Sequence, residues 1–175
     1  FNNIASSKKK ISAETLYRDY ADKYIRGIDF NPDLARVAKM NMVLNDDGHS
    51  GIFHMNSLTP FEKWDQKVLD KISPNSIDII LTNPPFGKKC VVDQQKILET
   101  FDLGKKWKKD DKKWIKSDKF ADTRTPDILF IERCLDLLKP GGRMGIVLPD
   151  GILGNDGFES VRQFILERSH LVAII

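Results

Sequence analysis

Apolar residues along the 175-residue chain fall into two alternating patterns, a helical spacing and short runs that are nearly continuous. Residues 1–10 are polar, basic and without period, and read as loop. Residues 12–23 predict a short helix with Ser12 as N-cap and Leu16 and Tyr17 inward, and residues 24–29 predict a strand ending in Asp29. Asn31 is a good N-cap, Pro32 suits the first helical position and Asp33 the first turn. Leu34, Val37, Ala38, Asn41 and Met42 then share one face, and Asp46-Asp47-Gly48 stops the helix. Residues 51–55 predict a second strand, followed by the turn Asn56-Ser57. Residues 61–72 predict a helix, and Ser73-Pro74-Asn75 a turn. Residues 77–82, Ile-Asp-Ile-Ile-Leu-Thr, predict a buried strand of the kind found in parallel sheets. It runs into Asn83-Pro84-Pro85-Phe86, whose two prolines allow neither strand nor helix to continue. Residues 87–124 show no regular pattern. Thr125-Pro126-Asp127 opens a helix with Ile128, Ile131, Leu135 and Leu138 on its apolar face, ended by Lys139-Pro140-Gly141-Gly142. A strand at 144–148, a helix at 156–168 with Val161, Phe164 and Ile165 inward, and a strand at 171–175 complete the pattern.

Strands alternating with helices predict an α/β fold with a mostly parallel sheet. Ligands bind such sheets at the carboxyl ends of the strands. Three predicted strands end there in Asp29, Asn56 and Asn83. Composition narrows the class without changing it. Hydrophobic residues at 41% and charged residues at 30% exclude collagen, coiled coil and wholesale disorder. No apolar run approaches the roughly 18 residues of a membrane span. Cys90 and Cys134 have no metal-binding or redox spacing, and His49, His54 and His170 have no partner pattern, so no metal is expected. Scarce cysteine and the lack of a signal peptide favour the cytoplasm. Phe1 in place of Met, and an apolar strand with nothing after it, lead us to expect part of a longer protein.

The net charge is +3, but eight lysines and three aspartates between Lys105 and Lys119 give a local +5. The plainer reading of this cluster is a solvated surface. The other is phosphate contact, with Trp107 or Trp114 stacking on bases.

The sharpest chemical signal is Asn83-Pro84-Pro85-Phe86. Two prolines fix the backbone, so little entropy is lost on aligning a substrate. The Asn83 side-chain oxygen and the Pro84 carbonyl can both accept hydrogen bonds from one amino group, and Phe86 offers a face for a planar ring. An aromatic amine is a poor nucleophile because its lone pair is delocalised. Two acceptors draw the nitrogen toward a tetrahedral shape and stabilise the positive charge that develops as a methyl group arrives. The structural alternative is a strand-ending turn with asparagine as a local cap and phenylalanine in the core. Asp29, after a strand and before a helix, has the placement of a carboxylate that accepts both ribose hydroxyls.

These residues resemble the amino-methyltransferase motif of S-adenosylmethionine-dependent enzymes. Residues 27–45 look like the second-strand region of N6-adenine DNA methyltransferases. Residues 127–175, with Leu-Lys-Pro-Gly-Gly-Arg and Leu-Pro-Asp-Gly-Ile-Leu, look like the modification subunit of type I restriction-modification systems, and the fit is close over 137–153. The resemblance implies a Rossmann-like methyltransferase fold truncated at both ends. It implies Asn83, Pro84, Pro85 and Phe86 as catalytic residues, and Asp29, Phe30, Asn56 and Ser57 as cofactor-binding residues. Asp29 would meet the ribose, Phe30 the adenine face, and Asn56, where the family commonly has aspartate, the adenine amino group. The implied activity is methyl transfer to the N6 amino group of adenine in double-stranded DNA, the base being flipped from the duplex. The implied partners are specificity and restriction subunits, with no membrane. The same turn also serves enzymes acting on RNA or on protein glutamine, and a non-catalytic nucleic-acid-binding fragment is a further reading. In domain terms, 1–23 is an N-terminal loop and short helix, and 24–175 a partial catalytic domain with a lysine-rich insertion at 104–119. The family's glycine-rich cofactor loop has no match in 1–26, and Gly27 is the only glycine before Asp29. The expectation is therefore a sheet interrupted between the strands ending in Asp29 and Asn83, and a chain inactive on its own.

Overall fold

The structure is a computed structural model that describes residues 13–46, 50–87 and 90–175. The loop at 1–10, the Ser12 cap, Asp47 and Gly48 of the helix stop, and His49 lie outside the described residues. The chain divides into two compact units, Phe1–Ser57 with Gln66–Lys71, and Leu58–Asp65 with Ile72–Ile175.

In the first unit, helix α1 (Ala13–Tyr24) buries Ala21 completely and leaves Tyr17 exposed, contrary to the inward placement expected for that tyrosine. The small alanine takes the inner position, while Tyr20 and Tyr24 pack ring to ring at 5.0 Å on the outside. The Arg26 guanidinium closes the helix by donating to the carbonyls of Asp22, Lys23 and Ile25. Strand β1 (Gly27–Asp29) pairs in parallel with β2 (Ile52–His54), Asp29 lying opposite His54. Gly51 precedes β2 where a Cβ would strike the Ile25 carbonyl, so only glycine lets the two chains close up. Helix α2 (Pro32–Leu44) starts as predicted, the Asn31 side chain accepting from the N–H groups of Asp33 (2.8 Å) and Leu34 (3.2 Å). Its inner face matches the predicted one only in part. Ala35 is buried, Ala38 and Met42 are half-buried, and Leu34 and Val37 face out. Alanines on the inner side let the helix approach β1 and β2 closely, which the bulkier face would prevent.

The predicted helix at 61–72 is broken. Phe61–Lys63 is a single 3-10 turn, Trp64 is extended at ψ 140°, and α3 (Gln66–Leu69) belongs to the first unit. Burial of Trp64 is the cause. Its ring sits against Phe61 at 4.9 Å and its indole N–H donates to the Thr59 carbonyl at 3.0 Å, a placement that the helical backbone would lose.

In the second unit, β3 (Ile77–Thr82) matches its predicted bounds and runs parallel to β6 (Leu138–Ile146). The register jumps between Ile77↔Leu138 and Ile79↔Arg143, so residues 139–142 bulge out with Gly141 at φ +81°. Strand β3 is not buried. Ile79 is 65% and Leu81 82% exposed, both on one face of the strand, and β3 bonds β6 alone among the described residues. The two parallel pairs share no strand, so the described residues form a mixed α/β chain with small two-stranded sheets, and the strands ending in Asp29 and Asn83 belong to different pairs. Residues 171–175 form no strand. They are exposed and have no strand partner among the described residues.

Residues 87–124 are more regular than their composition suggests. Helix α4 (Gln95–Leu98) buries Ile97 and Leu98, and β4 (Lys105–Asp110) forms an antiparallel hairpin with β5 (Lys113–Phe120). Asp111 makes the turn at φ +50°, a conformation aspartate tolerates. Trp107 packs edge-on against Phe164 at 6.5 Å and is therefore committed to the core, not free to stack on a base.

Helix α5 (Pro126–Leu137) is the centre of this unit. On one side Ile128 and Ile131 join Leu103, Ile152, Val161 and Phe164, with Ile152 from α6 (Asp150–Gly154) and Val161 and Phe164 from α7 (Glu159–Arg168). On the other, Leu129 joins Leu58, Ile97, Leu98 and Phe101.

Candidate active site

The Asn83-Pro84-Pro85-Phe86 turn follows β3 directly. Its root is fixed by the Thr82 carbonyl, which accepts from the Val147 N–H at 3.1 Å. Pro84 is buried and anchors the turn, while Asn83, Pro85 and Phe86 (49% exposed) face outward. The Asn83 carboxamide makes no hydrogen bond among the described residues, so it is not a local cap, and Phe86 lies outside both core clusters. Gly87 leaves the turn at φ +111°, which a residue with a side chain adopts only with strain. The arrangement leaves a carboxamide and an aromatic face accessible on a rigid support.

The first unit holds the other four candidates on one edge. Asp29 ends β1 half-buried; one carboxylate oxygen accepts from the Asn31 N–H at 2.7 Å, and its carbonyl accepts from the Met55 N–H at 3.0 Å. Phe30 follows with 73% of its surface exposed, and its carbonyl lies 3.0 Å from His54 Nε2. Asn56 and Ser57 come two and three residues after the end of β2, both half-buried. The parallel register thus brings Asp29, Phe30, Asn56 and Ser57 to the carboxyl ends of β1 and β2.

Both groups stand at strand ends, where α/β folds place ligands. The sequence profile of the family described as N-6 DNA Methylase matches residues 4–175. The chain belongs to this family. It is 26% identical over 155 residues to the type I restriction enzyme StySPI methylase subunit of Salmonella potsdam, covering 85% of this chain and 24% of that protein. It is 28% identical over 126 residues to the EcoEI methylase subunit of Escherichia coli, covering 71% of this chain and 20% of that protein. The EcoKI methylase subunit of Escherichia coli K12 is 26% identical over 155 residues, covering 85% of this chain and 24% of that protein. The chain thus spans about a quarter or less of the length of these relatives. No helix among the described residues is long and apolar enough to cross a membrane, and no described cluster of His, Cys, Asp or Glu could hold a metal ion.

In this N-6 DNA methylase chain the most deeply placed polar groups were not among the candidates. Arg133 is 1% exposed. Its guanidinium lies 4.0 Å from the Phe61 ring centroid, 4.8 Å from Phe101 and 5.7 Å from Trp64. It donates to the carbonyls of Thr59 (3.0 Å) and Leu58 (3.4 Å), while Nε and one terminal nitrogen have no hydrogen-bond partner among the described residues. Cation-π contact replaces the missing hydrogen bonds in part. Neighbouring Glu132 accepts from the backbone N–H groups of Asp102 and Leu103, both at 2.8 Å. Burial pushes its pKa up to about 7, against the downward pull of those two bonds. Burial also raises the pKa of Asp136, which Arg168 and Arg133 oppose, and pushes Cys134 up to about 12. The sequence did carry a signal for these groups. Helix α5 is apolar nearly all round (Ile128, Leu129, Phe130, Ile131), and charges within such a helix are buried charges.

Proposed function

We propose that the protein containing this chain transfers a methyl group from S-adenosylmethionine to the N6 amino group of adenine in double-stranded DNA. In this reading it acts as the methylase subunit of a type I restriction-modification system, beside specificity and restriction subunits. The observation that carries the reading is the Asn83–Phe86 turn at the end of β3, held by a buried Pro84 with Asn83 and Phe86 accessible, in a chain of the N-6 DNA methylase family.

The Asn83 amide oxygen and the Pro84 carbonyl accept the two amino hydrogens of a flipped adenine, and Phe86 stacks on the base. The acceptors localise the lone pair of the nitrogen and stabilise the charge it gains, and the proton leaves to solvent afterwards. The residues at the ends of β1 and β2 fit the adenosine half of the cofactor. Asp29 has its carboxylate oriented by the Asn31 N–H to meet ribose hydroxyls, Phe30 presents an exposed ring to the adenine face, and Asn56 and Ser57 supply polar groups to the adenine edge. S-adenosylmethionine, when bound, supplies the electrophilic methyl group.

The test uses the intact protein with methyl-labelled S-adenosylmethionine and duplex DNA, followed by digestion to nucleosides. Label is expected in N6-methyldeoxyadenosine. Label that enters only RNA or only peptide glutamine contradicts the reading.

A further inference from the structure

The β4–β5 hairpin takes no part in the chemistry just described, yet it is firmly built. Arg124 donates to the carbonyls of Leu103 (2.8 Å) and Lys105 (2.9 Å) at its base. The Trp107 indole N–H donates to the Asp102 carbonyl at 3.1 Å. The Gln163 carboxamide, on α7, clasps both the N–H and the carbonyl of Trp114, at 2.7 and 2.8 Å. These bonds fix the base and one edge of the ribbon, and the packed Trp107 ring holds one face. Side chains alternate along a strand, so Lys108, directly opposite Ile115, lies on the other face with Lys113.

Only three hairpin lysines have acidic partners among the described residues. Lys105 and Lys116 pair with Asp102 (3.7 and 2.6 Å), and Lys106 pairs with Asp122 (3.2 Å). Lys108, Lys109, Lys112, Lys113 and Lys119 are exposed and pair with no carboxylate among the described residues, the hairpin's own Asp110, Asp111 and Asp118 included. Ile115, 49% exposed, sits among them. A solvated lysine surface needs neither a clamped ribbon nor an exposed isoleucine at its centre.

We infer that the β4–β5 hairpin is a DNA-contacting arm, a cationic ribbon that enters the major groove of duplex DNA and neutralises its phosphates. The inference rests on the reading that the substrate is duplex DNA. Two strands about 4.8 Å apart make a ribbon that the major groove of B-DNA, roughly 12 Å wide, admits. The deep, narrow major groove of A-form RNA does not. Lysines that neutralise phosphates supply affinity independent of sequence, and Ile115 is suited to apolar contact with a thymine methyl group.

The test is the affinity of the intact protein for duplex DNA across a salt series, with methyl transfer at saturating DNA measured on the same samples. Each phosphate contact removed lowers the slope of log K against log salt by about 0.9. Lys108→Ala/Lys112→Ala/Lys113→Ala is expected to lower the slope by about 2 to 3 and to weaken binding at low salt by roughly tenfold or more, whatever the sequence. The corresponding triple arginine variant keeps both, and so does Lys63→Ala/Lys96→Ala, which removes exposed lysines outside the hairpin. An unchanged slope in the alanine variant, no duplex binding by the unaltered protein, or a hairpin-dependent preference for RNA each overturns the arm. Unchanged binding with normal methylation of DNA overturns the arm alone. Hairpin-dependent duplex binding without any DNA methylation leaves the arm standing and overturns the methyl-transfer reading.

Discussion

Helices α2 and α5 open with the same local grammar, a capping residue and a proline at the first helical position, and end in opposite situations. Helix α2 buries Ala35 and exposes Leu34, Val37, Met40, Val43 and Leu44. Helix α5 buries Ile128, Leu129, Ile131 and Leu137, and with them Asp127, Glu132 and Arg133. The cap and the proline decide where a helix starts. Which face it hides is decided by what packs against it. For α2 that is a two-stranded sheet reached through small residues, and for α5 it is hydrophobic clusters on two sides.

The contrast is broken most forcefully by truncating one leucine in each helix. Leu129→Ala empties a fully buried position and is expected to cost about 2–5 kcal/mol, whereas Leu34→Ala, at 55% exposure, should stay within about 0.5 kcal/mol. Denaturant midpoints of the two variants measure both. Equal losses would mean that the outer face of α2 is covered in solution.

The helices also differ in how they respond to pH. Glu132 titrates near 7 in the folded chain against 4.5 for the ordinary carboxyl, so between those values the folded state holds the extra proton. Its contribution is fully present below about 4.5 and is lost as pH rises through about 7. The raised pKa of Asp136 acts in the same direction. Unfolding midpoints measured across this window should fall with rising pH, and Glu132→Gln should flatten the fall. An equally steep fall in that variant would place the effect elsewhere.

The smallest effect separates the caps themselves. The Asn31 side chain accepts two backbone N–H groups, while Thr125 caps α5 without a side-chain hydrogen bond. Asn31→Ala is expected to cost about 1 kcal/mol, and Thr125→Ala clearly less. The same denaturant measurement decides, and equal costs would remove the distinction.

This contrast also marks what was legible in the sequence. Local signals were. The Asn31-Pro32 and Thr125-Pro126 starts, the 77–82 strand and its stop at two prolines all depend on neighbours along the chain. Features that depend on distant neighbours were hidden. Trp64 breaks a helix because of what it packs against, and the exposure of Ile79 and Leu81 on β3 depends on what lies over that face of the strand. The hairpin was masked by charge, since lysines on both faces blur the two-residue period, and Trp107 and the Asp110-Asp111 turn were its remaining traces. Of the candidate site, the sequence gathered both residue groups from strand ends alone. It gave no indication that Pro84 would be the buried anchor and Asn83 the accessible group.

In the proposed mechanism Asn83 presents an acceptor to the amino group being methylated. The most direct measurement is the single-turnover rate of DNA methylation by the intact protein carrying Asn83→Ala, with S-adenosylmethionine affinity measured alongside by calorimetric titration. The rate is expected to fall by about 10²–10³, as for loss of one preorganised charge-stabilising contact, with cofactor affinity unchanged. A normal rate in that variant would contradict the mechanism.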